Sequence, residues 1–348
     1  MKIAVYAISK NEEQFVKRFC ESAKDADLIL IADTGSTDDT VKLAKKYGAT
    51  VYDIAVTPWR FDIARDTALT LIPKDFDVCI SLDLDEVLED GWREEIERVW
   101  KADTTRLRYK FDWGCGISFY YEKIHHRHGY HWHHPVHEYP VPDGRINEIY
   151  AQTDKLLVSH HPDPTKSRGQ YLPLLELAVK EDPRCPRNAF YYARELTFYN
   201  MWLEAIVALN KYLAMPEANW PNERCYAMRL LGKAYDALGQ DGRTWYKKSC
   251  LEAPNTREPW VELAQSCYAK KDWQGCYDNV IKALEIKDKA LVYTMNPDVW
   301  GSLPHDLAAI SAYYLGFKDE AIRHGKDAIE LEPDNIRLVN NLEFYMKG

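Results

Sequence analysis

An α/β domain built on a mostly parallel sheet, followed by an all-α domain of repeated helix pairs, is the fold predicted for this 348-residue chain. Three observations predict it. The first third alternates short apolar runs with amphipathic stretches. Residues 104–160 are richer in aromatic and β-branched residues, as added strands require. From about residue 166 a single helix pattern recurs four times. The predicted domains are residues 1–165 and 166–348.

"KIAVYAIS" (2–9) reads as a buried strand, and "EEQFVKRFCESAKD" as a helix with Phe15, Phe19 and Ala23 on one face. "DLILIAD" (27–33) is the second strand. After the turn "TGST" comes a helix, "DDTVKLAKKYG", closed by Gly48. "ATVYDIAV" is a third strand, "FDIARDTALTLIP" a helix stopped at Pro73, and "DVCISLD" a fourth strand. This order implies parallel strands with helices on both faces, and ligands at the carboxyl ends of the strands.

"LEAIVALNKYLAMP", "QDGRTWYKKSCLEAP", "WQGCYDNVIKALEIK" and "KDEAIRHGKDAIELEP" are variants of one second-helix pattern, each preceded by another amphipathic helix. With Ile206, Arg243, Cys276 and Ile322 taken as equivalent, the spacing is near 34 residues apart from a stretch at "YTMNPDVWGS". Paired helices at that period, with small residues at the crossing, form the tetratricopeptide pattern. An ordinary helical bundle is the competing reading.

Net charge is −9, which argues against a nucleic-acid partner. No apolar run is long enough to span a bilayer, and "MKIAVYAISKNEEQF" becomes charged too soon for a signal peptide. The eight cysteines lack paired spacing, the pattern of reduced, packed thiols in a cytoplasmic protein.

Three polar clusters fall just past predicted strands: "SKNEE" (9–13), "ADTGSTDDT" (32–40) and "DLD" (83–85). Asp33, Gly35 and Ser36 suit close backbone approach to a nucleotide base and ribose. Ser36 or Thr37 can equally cap the next helix, with Asp38 and Asp39 meeting its dipole. No GxGxxG or P-loop is present. An acidic crevice remains, suited to Mg²⁺ or Mn²⁺ bridging a diphosphate. In an extended segment Asp83 and Asp85 share one face and Leu84 the other. The competing reading makes Asp85 and Glu86 the start of a helix over "EVLEDGWREEIERVW".

"AISKNEE", "IADTGSTDDT", "PWRFDIARDTAL" and "CISLDLDEVL", in that order and spacing, resemble family 2 glycosyltransferases of the GT-A fold. The resemblance is closest to those with a tetratricopeptide tail. It implies that Glu12 and Asp33 contact the nucleoside, that Asp83 holds ribose or the metal shell, and that Asp85 ligates the metal. Arg65 would approach the donor sugar or its phosphates, although Asp66 stands where such relatives have Asn. Ser9, Gly35, Ser36 and Leu84 complete the expected donor-binding set. The family further implies a catalytic base, matched by Glu138 in "WHHPVHEYP", and a late metal-binding histidine, His160, with His161 as the fallback. A single acceptor-side carboxylate implies inversion.

Seven of the eleven histidines crowd into residues 125–137. Pro135 between His133 and His137 works against a helical zinc site, and "HPVHE" is not HExxH. His137 is expected on the acceptor side, in a loop, or behind the metal, and Trp132 on the acceptor side or packed under a loop. Trp113, Tyr120, Tyr121 and Tyr130 either stack on sugars or pack under a loop.

The function expected is metal-dependent transfer of a hexose from a nucleotide sugar such as UDP-glucose. The acceptor would be a protein, peptide or glycan, with the repeats binding it or forming a homodimer. The competing readings are a non-catalytic repeat scaffold and a sugar-phosphate nucleotidyltransferase.

Overall fold

Met1–Ala178 and Val179–Gly348 form two compact units in a computed structural model that describes residues 1–164 and 167–347. The predicted division falls on Thr165 and Lys166, outside the described residues.

In the first unit β1 (Ile3–Ser9), α1 (Glu13–Ser22), β2 (Leu28–Asp33), α2 (Thr40–Lys46), β3 (Thr50–Asp53), α3 (Phe61–Leu71) and β4 (Val78–Ser81) alternate as the sequence predicts. β1 lies between β2 and β4 and runs parallel to both, and β3 lies parallel on the far side of β2. Ile3, Val5 and Ala7 pack with Phe15, Val16 and Phe19 of α1. Ala4, Tyr6 and Ile8 pack with Ala64, Ala68 and Leu69 of α3. A strand covered on both faces must be apolar at every position, which is why β1 reads as a continuous run. Gly48 follows α2 with φ 91°, a left-handed helix stop as predicted.

The chain continues through β5 (Glu86–Leu88), α4 (Trp92–Val99), β6 (Arg106–Gly114), β7 (Ile117–His126), β8 (Tyr130–His133), β9 (Tyr139–Pro142) and β10 (Tyr150–His160). The eight-stranded sheet has the order β3-β2-β1-β4-β7-β6-β10-β5, and β8 and β9 form a separate ribbon. β7 is antiparallel to β4 and β6, and β10 is parallel to β6. The competing reading that starts a helix at Asp85 and Glu86 does not hold. Glu86 begins β5, which pairs antiparallel with β10 and sets His160 opposite Glu86. The helix starts only at Trp92, after Gly91.

α5 (Tyr171–Glu181) spans the division between the units. The second unit then runs α6 (Pro186–Phe198), α7 (Trp202–Leu213), α8 (Pro221–Ala237), α9 (Arg243–Glu252), α10 (Arg257–Ala269), α11 (Trp273–Glu285), a 3₁₀ turn Pro297–Trp300, α12 (Leu303–Tyr314), α13 (Lys318–Leu331) and α14 (Ile336–Lys347). α6 packs on α7, α8 on α9, α10 on α11 and α12 on α13, the four predicted pairs. One registration is corrected. Arg243 opens α9, whereas Ile206, Cys276 and Ile322 lie one turn into their helices. Ala205, Tyr246, Cys276 and Ala321 occupy the same place in each second helix, and all four are buried.

The stretch that lengthens the last repeat lies across the first helices of three successive pairs. Tyr293 stacks on Tyr191 of α6, Arg229 of α8 donates to the Thr294 carbonyl at 3.2 Å, and the Asn296 amide donates to Glu258 of α10 at 3.1 Å. No helix among the described residues is long and apolar enough to cross a membrane.

Gly232 marks a helix crossing, because a Cβ there would lie 2.7 Å from the buried Tyr246 ring. Gly232→Ala gains about 1 kcal/mol in helix propensity but overpacks a rigid ring at about 1–3 kcal/mol. The net expectation is a loss of stability, read as a lower denaturation midpoint.

Candidate active site

The carboxyl ends of β2, β1 and β4 are neighbours, so the three predicted polar clusters converge at one sheet edge. Ser9 pairs with Asp33 in register. The Asp33 carboxylate accepts from Ser9 Oγ (2.8 Å), Gly35 N (3.0 Å), Ser36 N (2.8 Å) and Ser36 Oγ (2.5 Å). Burial raises its pKa, but these bonds outweigh burial and hold it below the usual carboxylate value. The four bonds use the four lone-pair sites of the carboxylate. Asp33 and Ser9 therefore organise the loop rather than face an open crevice. Gly35, at φ 96° with open space where a Cβ would stand, leaves its backbone approachable. Glu12 is buried beside this loop, its amide donating to Thr40 Oγ1. Asn11, which sequence reasoning missed, ties the β1 and β2 loops together. Its amide donates to Ser36 Oγ, and its side-chain oxygen accepts from the Thr37 amide.

Beyond β4 the chain turns instead of staying extended. The Glu86 amide donates to the Asp83 carbonyl and the Asp83 amide donates back to Glu86 Oε2, both at 3.0 Å. This corrects the shared-face argument for Asp83 and Asp85. Leu84 is fully buried in the core, so its side chain cannot bind a donor and only its main chain remains available.

Arg65 of α3 lies buried beneath this turn. Its Nη2 donates to Asp83 Oδ1 (2.5 Å), its Nη1 to Ser81 Oγ (3.1 Å), and its Nε to Glu138. Burial alone would lower its pKa, but Asp83 and Glu138 hold it well above the ordinary value. Arg65 was expected to reach the donor, but the structure commits its guanidinium to these three partners. Lys123 of β7 adds a second buried cation, 3.2 Å from Glu86 Oε1 and 3.4 Å from Asp83 Oδ2. Asp83 stays 42% exposed above both cations. Neither Lys123 nor Glu86 was assigned a site role from sequence, because the pair forms only across β7 and the β4–β5 turn.

Asp85 Oδ2 lies 3.4 Å from His160 Nε2. Burial would lower the His160 pKa, but Asp85, Glu86 and Asp83 outweigh burial and raise it. The site thus gathers four carboxyl groups around Arg65 and Lys123, with Asp83, Glu86 and Glu138 meeting those two cations and Asp85 meeting His160. Adjacent ligands of an octahedral cation with bonds of about 2.1 Å lie about 3 Å apart, so this oxygen and imidazole pair fits a divalent ion. His160 Nδ1 is buried with no hydrogen-bond partner among the described residues, and the ring meets Asp85 through Nε2. His161 is exposed, and only its amide takes part, donating to the Asp85 carbonyl at 2.8 Å.

The loop bearing Glu138 is bound to α3. The Phe61 amide donates to the Pro135 carbonyl (3.0 Å), the Trp132 amide to Asp66 (2.7 Å), and Arg65 to Glu138. Asp66 thereby gains a role as the anchor of this loop. The acceptor-side expectation for Trp132 is corrected. Trp132 is 2% exposed, its indole N–H donates to Tyr6, and the Arg65 guanidinium covers its ring at 4.9 Å. No sugar can reach that face. His137 is half-buried against Tyr171, with ring centroids 5.6 Å apart. Trp113, 48% exposed and 4.4 Å from the His160 ring, is an accessible aromatic beside the Asp85–His160 pair. His125 is buried against Tyr6, and burial lowers its pKa to about 3. Among the described residues, none of the seven crowded histidines joins two further His, Cys, Asp or Glu ligand atoms.

Residues 5–133 match the family model Glycosyl transferase family 2, a span holding Asp33, Arg65, Asp83 and Asp85 but ending before Glu138 and His160. An uncharacterized glycosyltransferase of Rickettsia conorii is 35% identical over 103 residues, 29% of this chain and 35% of that protein. One from Rickettsia bellii is 34% identical over 109 residues, 31% of this chain and 35% of that protein. The chain thus spans about a third of the length of the curated relatives it matches. Among solved structures it is similar to YrrB, a TPR protein with an unusual peptide-binding site (TM-score 0.40, 13% identity, 49% of this chain and 81% of that one). It is also similar to MamA (TM-score 0.38, 19% identity, 47% and 81%). The match to the family 2 glycosyltransferase model thus falls within the first unit.

Arg65→Ala strands the buried Glu138 carboxylate and should cost about 3 kcal/mol or more in chemical denaturation, with the half-exposed Asp83 adding less. Burial outweighs Lys123 and pushes Glu86 from 4.5 up to about 7. The fold therefore holds a proton that the unfolded chain releases. In chelator, stability should be highest below pH 4.5 for this group and fall as pH rises to about 7. Glu86→Gln should remove that part of the slope in a pH series of denaturation midpoints.

Proposed function

We propose that this chain is an inverting, divalent-metal-dependent glycosyltransferase. It moves a hexose from a nucleoside diphosphate sugar, with UDP-glucose the best single choice, to a protein, peptide or glycan acceptor. One observation carries the reading: Asp85 and His160 meet at the sheet edge beside Asp83, while Glu138 is held there by the same Arg65 that holds Asp83. The similarity of residues 5–133 to the family 2 glycosyltransferase model supports the reaction class.

Asp85 and His160 would hold Mn²⁺ or Mg²⁺, with Asp83 as the further oxygen. Once bound, the ion supplies Lewis-acid neutralisation of charge on the departing diphosphate. The Gly35–Ser36 loop, ordered by Asp33, presents backbone to the nucleoside. Arg65 orients Glu138, which takes the proton from the acceptor nucleophile as it attacks the anomeric carbon. With Glu138 as the one carboxylate assigned to the acceptor side, the displacement would be single and would invert configuration. Trp113 offers a stacking face to a sugar ring. The helical repeats dock the acceptor polypeptide or a second copy of the chain, a role consistent with exposed Ile336, Phe344 and Met346 on α14. All eight cysteines are free, which supports a reducing, cytoplasmic setting.

A sugar-phosphate nucleotidyltransferase would need a glycine-rich basic loop after β1, where this chain has Ser9, Lys10, Asn11 and Glu12. A decayed scaffold would not keep Asp83, Asp85, Glu138 and His160 together.

Incubation with a panel of labelled nucleotide sugars and Mn²⁺ should release sugar from at least one donor. Asp85→Ala should lower that rate on the order of 10²–10³-fold. Release from no donor, or equal rates in the variant, counts against the reading. Glu138→Gln should keep donor affinity and lose transfer roughly 10²–10⁴-fold. Unchanged turnover removes Glu138 as the base.

A further inference from the structure

A second group of ligand-type side chains lies in the helical unit, outside everything described above. His305 of α12 and His324 of α13 face each other through their Nδ1 atoms at 3.0 Å. Asp327 Oδ2, one turn after His324, lies 3.4 Å from His305 Nδ1 and 3.8 Å from His324 Nδ1. His324 is buried, while His305 and Asp327 are partly open to solvent. Among the described residues this is the single group of three His, Cys, Asp or Glu ligand atoms within 4.8 Å of one another.

We propose that His305, His324 and Asp327 form a binding site for a zinc-class divalent transition metal that joins α12 to α13. Two imidazole nitrogens and one carboxylate, with a fourth position open to water, form a donor set suited to zinc. A tetrahedral ion with bonds of 2.0–2.1 Å has ligand atoms about 3.3 Å apart. The three observed separations straddle that value, so one ion can reach all three atoms with little rearrangement.

The protonation pattern points the same way. Arg323 Nη2 donates to His324 Nε2 at 2.8 Å, so the His324 proton sits on Nδ1. His305 Nδ1 must then accept. His324 donates that proton to His305 Nδ1 at 3.0 Å, and Asp327 Oδ2, at 3.8 Å, is too far to share it. A cation placed there would be within reach of all three atoms. Binding moves the His324 proton from Nδ1 to Nε2, with no net release. Arg323 withdraws to Glu320 and Asp327, which it already contacts at 2.5 and 3.5 Å. Glu320 Oε2, now 3.7 Å from His324 Nε2, accepts the relocated proton's hydrogen bond. A carboxylate behind a ligating imidazole is the common support for a bound metal.

The test uses the full chain carrying Asp85→Ala, so that the crevice of the first unit is silent. After stripping with chelator, it is titrated with zinc chloride and, separately, with cobalt chloride. The expected result is saturation at one zinc per chain, a cobalt visible spectrum of four-coordinate type, and a melting temperature that rises with free zinc. His305→Gln and Asp327→Asn, both at partly exposed positions, should each weaken zinc binding about tenfold or more with unchanged far-ultraviolet circular dichroism. No saturable binding, equal affinity in the two variants, or a six-coordinate cobalt spectrum overturns the proposal and leaves only a hydrogen-bonded histidine pair.

Discussion

The buried guanidinium of Arg65 is the constraint on which the crevice depends. A charged group out of water must be paired on every side, and a planar fork can satisfy several partners at once. Arg65 does so by reaching the end of β4 through Ser81, the following turn through Asp83, and the loop after β8 through Glu138. Two segments far apart in sequence, residues 81–83 and the loop bearing Glu138, are thereby fixed on one helix. Each carboxylate needs the cation as much as the cation needs them, so the arrangement holds as a unit.

Lys123 extends the same logic along the next strand. It offsets Glu86 and shares Asp83 with Arg65, so the acidic turn is neutralised from below while Asp83 remains open above. Asp85 is left with His160 and no arginine or lysine within ion-pair distance among the described residues. Charge is thus distributed unevenly on purpose of geometry: the floor is compensated, and the edge facing the crevice is not. The strand order explains its location. The chain builds outward from β1 to β3 and then crosses to β4, and the reversal between β1 and β4 opens the crevice at their carboxyl ends.

The helical unit follows different rules. Its stability comes from neighbouring pairs, each burying a small or aromatic residue at the same place in its second helix. The long connection before α12 interrupts this regularity and covers part of the first-helix surface with the chain's own Tyr293, Thr294 and Asn296. A partner of this unit therefore meets a surface partly taken by the chain itself.

Much of the fold was legible in residue order, because local patterns report local structure. Continuous apolar runs marked β1, β2 and β4, a 3.6-residue stripe marked α1, and Gly48 marked a helix end through its left-handed backbone. That the loops bearing Asp33, Asp83 and Asp85 share one sheet edge was legible because strand order alone sets which loops are neighbours. The pairings within it were not. Trp132 looked like a sugar platform, yet it is core, and Leu84, expected in the donor-binding set, has its side chain buried in the core. Glu86 looked like a helix start, yet it begins β5 and faces Lys123. Those outcomes depend on contacts between β7, β10 and the β4–β5 turn, which are tens of residues apart. A one-dimensional pattern carries periodicity and composition but no long-range distances, so sequence determined the elements and their order, and tertiary packing decided which charges meet.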